Sequence, residues 1–139
     1  MHFLAALLFI AALTPQPHEP DEPAPDPDAV LIAQTIWGEA RGCSEADQEA
    51  VCWVILNRVD TNDYGMGHSI EYVITFPQQF AGYSPDNPLD PELYDLALRV
   101  ITDWQNGSDG IGKQWLWFTG DGSKNTFRDQ YKGGNERVF

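Results

Sequence analysis

Seven consecutive residues, Ala50 to Leu56 (AVCWVIL), are apolar round the whole circumference of any helix they form. A helix without a polar face belongs at the centre of its domain, with other elements wrapped round it. Its start is marked by Ser44, a cap whose oxygen accepts a backbone N–H, with Asp47 three residues on as a capping-box partner. Polar Asn57 and Arg58 read as its end. This one segment therefore sets the architecture: a central helix that needs at least two amphipathic partners.

Both partners are visible. Asp28 reads as the cap of a helix running to about Ala40, with Val30, Ala33, Ile36, Trp37 and Ala40 as one apolar stripe and Ile32 beside it. Gly42 follows as the left-handed residue that helix C-termini favour. Asp90-Pro91 is a cap followed by proline at the first helical position. From there Leu93, Leu96, Ala97, Val100, Ile101 and Trp104 form a clean stripe, ended by Asn106-Gly107. Between these, residues 60–68 read as a loop, and Ser69 opens a short helix that Pro77 stops. Residues 114–118 (QWLWF) read as a strand, and the remainder as mostly loop. No internal repeat is present. The fold class is α+β and mainly helical, with three to four helices and a small strand region.

Residues 1–14 hold the apolar run Phe3 to Leu13, and residues 15–28 are rich in proline and acid. Eleven apolar residues are too few to span a bilayer, and fit the core of a secretory signal. That places the chain outside the cell or in its envelope, with an uncleaved anchor touching the membrane as the alternative. The second segment cannot bury enough apolar surface to fold and reads as an extended linker. Residues 29–139 are then the domain.

Of 21 acidic residues five precede residue 29, leaving 16 against all 8 basic ones in the domain. Such a surface has no cationic excess to displace counterions from a phosphate backbone, so nucleic acid is excluded as a partner. Neutral sugars remain. Cys43 and Cys52 are the two cysteines. Nine helical residues would separate them by roughly 13 Å, too far for a disulfide, so two free thiols are expected, with Cys52 packed as a small apolar residue. The three histidines are scattered without ligand spacing, so neither a metal nor another cofactor is expected.

Within TIWGEARG (35–42), Glu39 occupies the last turn of its helix, the negative end of the helix dipole. It lies about 20° round the helix from Ile32 and about 60° from Ile36, beside the apolar stripe and so at the mouth of a groove. Partial drying and the dipole both favour its protonated form, while a pairing with Arg41 would oppose this. A carboxylic acid protonated near neutral pH is what general-acid cleavage of a glycosidic bond requires. A solvated glutamate at a helix end is the alternative reading of the position alone.

TIWGEARG, followed by an apolar helix ending VILNRV (54–59), resembles the opening of the SleB-type cell-wall hydrolases, the spore-cortex lytic enzyme family. VITFPQQF (73–80), WLWF (115–118) and a closing Gly134-Asn135 ahead of Phe139 continue the resemblance in order. Cys43 stands where that family often has a second glutamate, and Thr119-Gly120 replaces its usual Asn-Pro. The resemblance implies a compact lysozyme-like fold and cleavage of peptidoglycan glycan strands as a lytic transglycosylase. It implies Glu39 as the catalytic acid and then base, Gln79 and Phe80 lining the glycan groove, and Trp117 and Phe118 adding to the aromatic platform. The partner would be the glycan strand, met by a monomer. A muramidase that uses water is the second reading, with Asp86 or Asp90 positioning that water. A glycan-binding module without chemistry is the third.

Overall fold

The computed structural model describes Thr14, Pro15, Pro17, residues 20–61 and residues 68–139. The apolar run Phe3–Leu13 and most of the expected loop at 60–68 lie outside the described residues. Four helices, α1 (Pro27–Ala40), α2 (Glu45–Asp60), α3 (Ile70–Thr75) and α4 (Pro91–Gln105), precede three short strands, β1 (Trp117–Gly120), β2 (Asn125–Arg128) and β3 (Glu136–Arg137). Among the described residues no helix is long and apolar enough to cross a membrane. The architecture is α+β and mainly helical, as expected.

Helix α2 is the hub. Every residue from Ala50 to Leu56 is buried, and α1, α3 and α4 all pack against it. Ser44 caps it, accepting the Asp47 N–H at 3.2 Å. The expected end at Asn57 and Arg58 is not one: the helix runs on to Asp60, and both residues are buried, at 3% and 4% exposure. Asp47 also departs from its expected role in a capping box. Its carboxylate accepts the Asn125 backbone N–H at 2.7 Å and the Asn125 amide N–H, tying α2 to β2 inside the core.

Helix α1 starts two residues earlier than the Asp28 cap predicts. Asp26 is the cap, accepting the Ala29 N–H at 2.9 Å, and Pro27 takes the first helical position. Proline presets the helical φ and has no N–H to leave orphaned, so an Asp-Pro pair sets the start here just as at Asp90-Pro91. The buried face is centred on Ala29, Ile32, Ala33 and Ile36 rather than on the Val30–Trp37 line, and Val30 and Trp37 are half-buried. The reason is that α1 touches α2, α3 and α4 together, which widens the face it buries. Helix α4 follows expectation: Asp90 accepts from Glu92 and Leu93, its stripe is buried from Leu93 to Ile101 with Trp104 half-buried, and Gly107 at φ +86° ends it.

Gly42 does not take the left-handed conformation expected after α1. Its lack of a side chain serves contact instead, since a Cβ there would stand 2.9 Å from the Gly122 carbonyl oxygen.

The strand expected at 114–118 forms at 117–120, as the edge of an antiparallel sheet ordered β1-β2-β3, with Phe118 opposite Phe127 and Phe127 opposite Arg137. β2 and β3 lie in the stretch expected to be loop. Fully buried Phe127 organises this part, with the rings of Phe118 at 5.7 Å and Phe139 at 5.1 Å. Both cysteines are free, as expected, with Cys52 fully buried.

Candidate active site

Glu39 sits one residue before the end of α1, half-buried, on the wall of a pocket of about 220 Å³ that Gly38, Ala40, Arg41, Gly42 and Gly122 complete. Its Oε1 accepts the Gly82 backbone N–H at 2.8 Å. Among the described residues its Oε2 has no hydrogen-bond partner, which leaves that oxygen available to a substrate.

The contact with Gly82 depends on two bare backbones. A Cβ on Gly38 would lie 1.7 Å from the Gly82 carbonyl oxygen, and one on Gly82 would lie 2.5 Å from the Gly38 carbonyl carbon. Neither position tolerates a side chain, so the turn after Phe80 lies directly on the last turn of α1. The Gln34–Asn87 pair holds it there. Gln34 donates to the Pro85 and Asn87 carbonyls at 3.1 and 3.0 Å, and Asn87 donates to the Gln34 and Gly82 carbonyls, both at 2.9 Å. Arg41 turns back along its own helix, donating to the Trp37 carbonyl at 3.0 Å with its guanidinium 5.6 Å from the Trp37 ring centre.

The residue that organises the rest of the site is Arg58. Its guanidinium lies between the rings of Phe80 and Trp117, 4.9 Å from each centre. Nε donates to the Leu116 carbonyl at 2.7 Å and Nη1 to Gln79 Oε1 at 3.0 Å. Burial pushes its pKa down to about 10, and the negative charge of Glu39 opposes that shift. The Glu39 carboxylate thus lies within electrostatic reach of Arg58 and favours its charged form. Asn57, one residue earlier, donates to the Gly112 and Trp115 carbonyls, both at 3.0 Å, fixing the segment that leads into β1.

All five residues singled out in the sequence fall in this region, in different settings. Glu39, Gln79 and Trp117 are half-buried, and Phe80 is 5% exposed with a face against Arg58. Phe118 is half-buried between Phe80 at 6.2 Å and Phe127. Asp90 is occupied as the α4 cap, while Asp86 is exposed. Asp121 lies in the β1–β2 turn whose Gly122 lines the Glu39 pocket. The Ser123 and Lys124 N–H groups and the Ser123 hydroxyl hold its carboxyl at about 2. Among the described residues no group of three or more metal-ligating side chains comes together.

Sequence reasoning missed Arg58, Gly38 and Gly82. An arginine closing so apolar a helix, and a glycine inside a helix one residue before a glutamate, were the available signals. Gly82 had none, because its partner lies 44 residues away.

A family model described as Cell Wall Hydrolase matches residues 42–137, well over half of the chain and beginning three residues after Glu39. The spore cortex-lytic enzyme of Halalkalibacterium halodurans is 33% identical over 100 residues, covering 69% of this chain and 28% of the relative. That of Bacillus cereus is 29% identical over 119 residues, covering 81% and 43%, and that of Oceanobacillus iheyensis 34% over 94 residues, covering 68% and 33%. The chain thus spans less than half the length of these relatives. No solved structure matches.

Proposed function

Because this chain belongs to the cell wall hydrolase family, we propose that it cleaves peptidoglycan glycan strands between N-acetylmuramic acid and N-acetylglucosamine by lytic transglycosylation. Glu39 is the single general acid and base. Its position carries the reading: a half-buried carboxyl group, held through one oxygen by the Gly82 N–H, with the other oxygen unengaged in a pocket. Protonated Glu39 gives its proton to the bridging oxygen as the muramic C1–O bond breaks. The resulting carboxylate then takes the proton of the muramic C6 hydroxyl as O6 bonds to C1. The products are a new free 4-hydroxyl and a 1,6-anhydro end, no water is consumed, and Glu39 is protonated again.

Arg58 supplies a buried cation within electrostatic reach of the Glu39 carboxylate. Gln79 and Trp117 line the groove. Phe80 and Phe118 support it from beneath, Phe80 by backing Arg58 and Phe118 by packing on the Phe127 core. The apolar leader delivers the domain to the envelope, where its substrate lies.

Hydrolysis of the same bond is the second reading, favoured by Asp121. That carboxylate is kept ionised beside the same pocket and is suited to orienting a water. Mass spectrometry of peptidoglycan digested with the full chain decides between them. Anhydromuramic ends made by the wild type and not by Glu39→Gln are expected. Reducing muramic ends would replace transglycosylation with hydrolysis. Bound sacculi with no new ends would leave a binding module.

A further inference from the structure

We propose that Gln79 recognises the acetamido carbonyl of the sugar as a hydrogen-bond donor, with its amide fixed in that direction by buried Arg58. The inference rests on the glycan-cleaving reading above and adds which group of the substrate is read.

A guanidinium carries only donors, so the Gln79 atom 3.0 Å from Arg58 Nη1 has to be the amide oxygen. The NH2 end of the amide therefore points away from Arg58. Ordinarily an exposed glutamine rotates and offers either end. Here Arg58 cannot follow such a rotation, because it is 4% exposed, clamped between Phe80 and Trp117, and tied to the Leu116 carbonyl. Turning the amide over would set its NH2 against a buried cation.

The backbone is equally fixed. Gln78 takes φ +66°, a left-handed conformation that costs a residue with a Cβ and persists where the surroundings impose it. The Gln79 N–H closes the turn on the Phe76 carbonyl at 3.3 Å. Three residues on, the same turn supplies the Gly82 N–H that holds Glu39, so the donor and the acid share one frame. Among the described residues Gln79 Nε2 has no partner.

A fixed N–H donor selects an acceptor. Both sugars of a peptidoglycan strand carry an acetamido group, whose carbonyl oxygen is the strongest neutral acceptor on the ring. Removing the acetyl group leaves an ammonium, which is donor-only and repels the Gln79 NH2.

The test is the ratio of kcat/KM on N-acetylated peptidoglycan to that on chemically de-N-acetylated peptidoglycan, for wild type, Gln79→Glu and Arg58→Lys. Gln79→Glu keeps the Arg58 contact, now as an ion pair, so the fold is retained, but it faces the groove with an acceptor. The ratio is expected to fall at least about ten-fold, mainly through KM on the acetylated substrate. Both substrates meet the same Glu39, so any effect of the added charge on proton transfer cancels. Arg58→Lys, which cannot hold Leu116 and Gln79 together in a planar fork, is expected to lower the ratio by a smaller factor. A ratio within about two-fold of wild type for Gln79→Glu overturns the inference while leaving the cleavage reading intact. Failure of the wild type to cleave either substrate overturns both.

Discussion

Gly38→Ala tests the contact on which the site is built. Alanine in place of glycine inside a helix ordinarily adds about 1 kcal/mol of stability, so on helix propensity alone the variant is the more stable protein. The structure reverses the sign. The new Cβ would stand 1.7 Å from the Gly82 carbonyl oxygen, and ordinary contact begins at 3.4 Å, so helix and turn must separate by up to about 1.7 Å. A shift of that size breaks the 2.8 Å hydrogen bond from Gly82 to Glu39. Overpacking costs about 1–3 kcal/mol, and a hydrogen bond to a charged group contributes about 1.5–3. Set against the helix gain of about 1 kcal/mol, the net loss is about 1.5–5 kcal/mol, a fall in Tm of roughly 6–20 °C for a domain of this size. Glu39 loses its anchor in the same step, and under its proposed role as general acid a displacement of about 1 Å costs about 10²-fold in rate. Thermal unfolding by circular dichroism and release of soluble muropeptides measure the two effects. A Gly38→Ala protein that melts higher than wild type and digests peptidoglycan at the same rate would refute both the backbone contact and its role in holding Glu39.

Asn125→Ala strips a partner from the Asp47 carboxylate inside the core and is expected to cost about 2–3 kcal/mol in urea unfolding; a cost below about 0.5 would remove the α2–β2 tie. The Asp121 carboxyl, held at about 2 against 3.8 for an ordinary aspartate, contributes stability above about pH 4 that is lost as the pH falls through 2. The wild type should therefore exceed Asp121→Asn in denaturant midpoint at pH 7, by a margin that shrinks between pH 4 and 2; a margin independent of pH contradicts the turn geometry. Burial pushes the Cys52 thiol well above its usual range, so a thiol reagent at pH 8 should label Cys43 in the native protein and Cys52 only after unfolding. Equal labelling of both in native conditions would mean that the α2 core opens easily.

Four helices were legible because their signals are local. Caps at Ser44, Ser69 and Asp90, the stripe of α4 and the all-round apolarity of α2 each need only neighbours in sequence, since helical hydrogen bonds close within four residues. The strands β2 and β3 were not legible, because segments of four and two residues are too short to show alternation and exist only through cross-strand pairing. The place of Glu39 was legible for the same local reason, since a glutamate beside an apolar stripe at a helix end can be located by counting residues. Its role as candidate acid came from the resemblance of TIWGEARG to the cell-wall hydrolases. What surrounds it could not be counted. Arg58 looked like the polar end of a helix, yet the fold buries it between two rings that the chain supplies 22 and 59 residues later. Whether a cation at a helix end meets water or aromatic faces is decided by which distant segments arrive there. The same holds for Gly82, whose N–H reaches Glu39 because two glycines meet across the chain. From its sequence alone this chain determined its helices, its core and the helix-end position of its candidate acid, all fixed by local hydrogen bonding and hydrophobic periodicity. Only the tertiary structure decided what holds that acid and what stands beside it, because those contacts join residues with no periodic relation to one another.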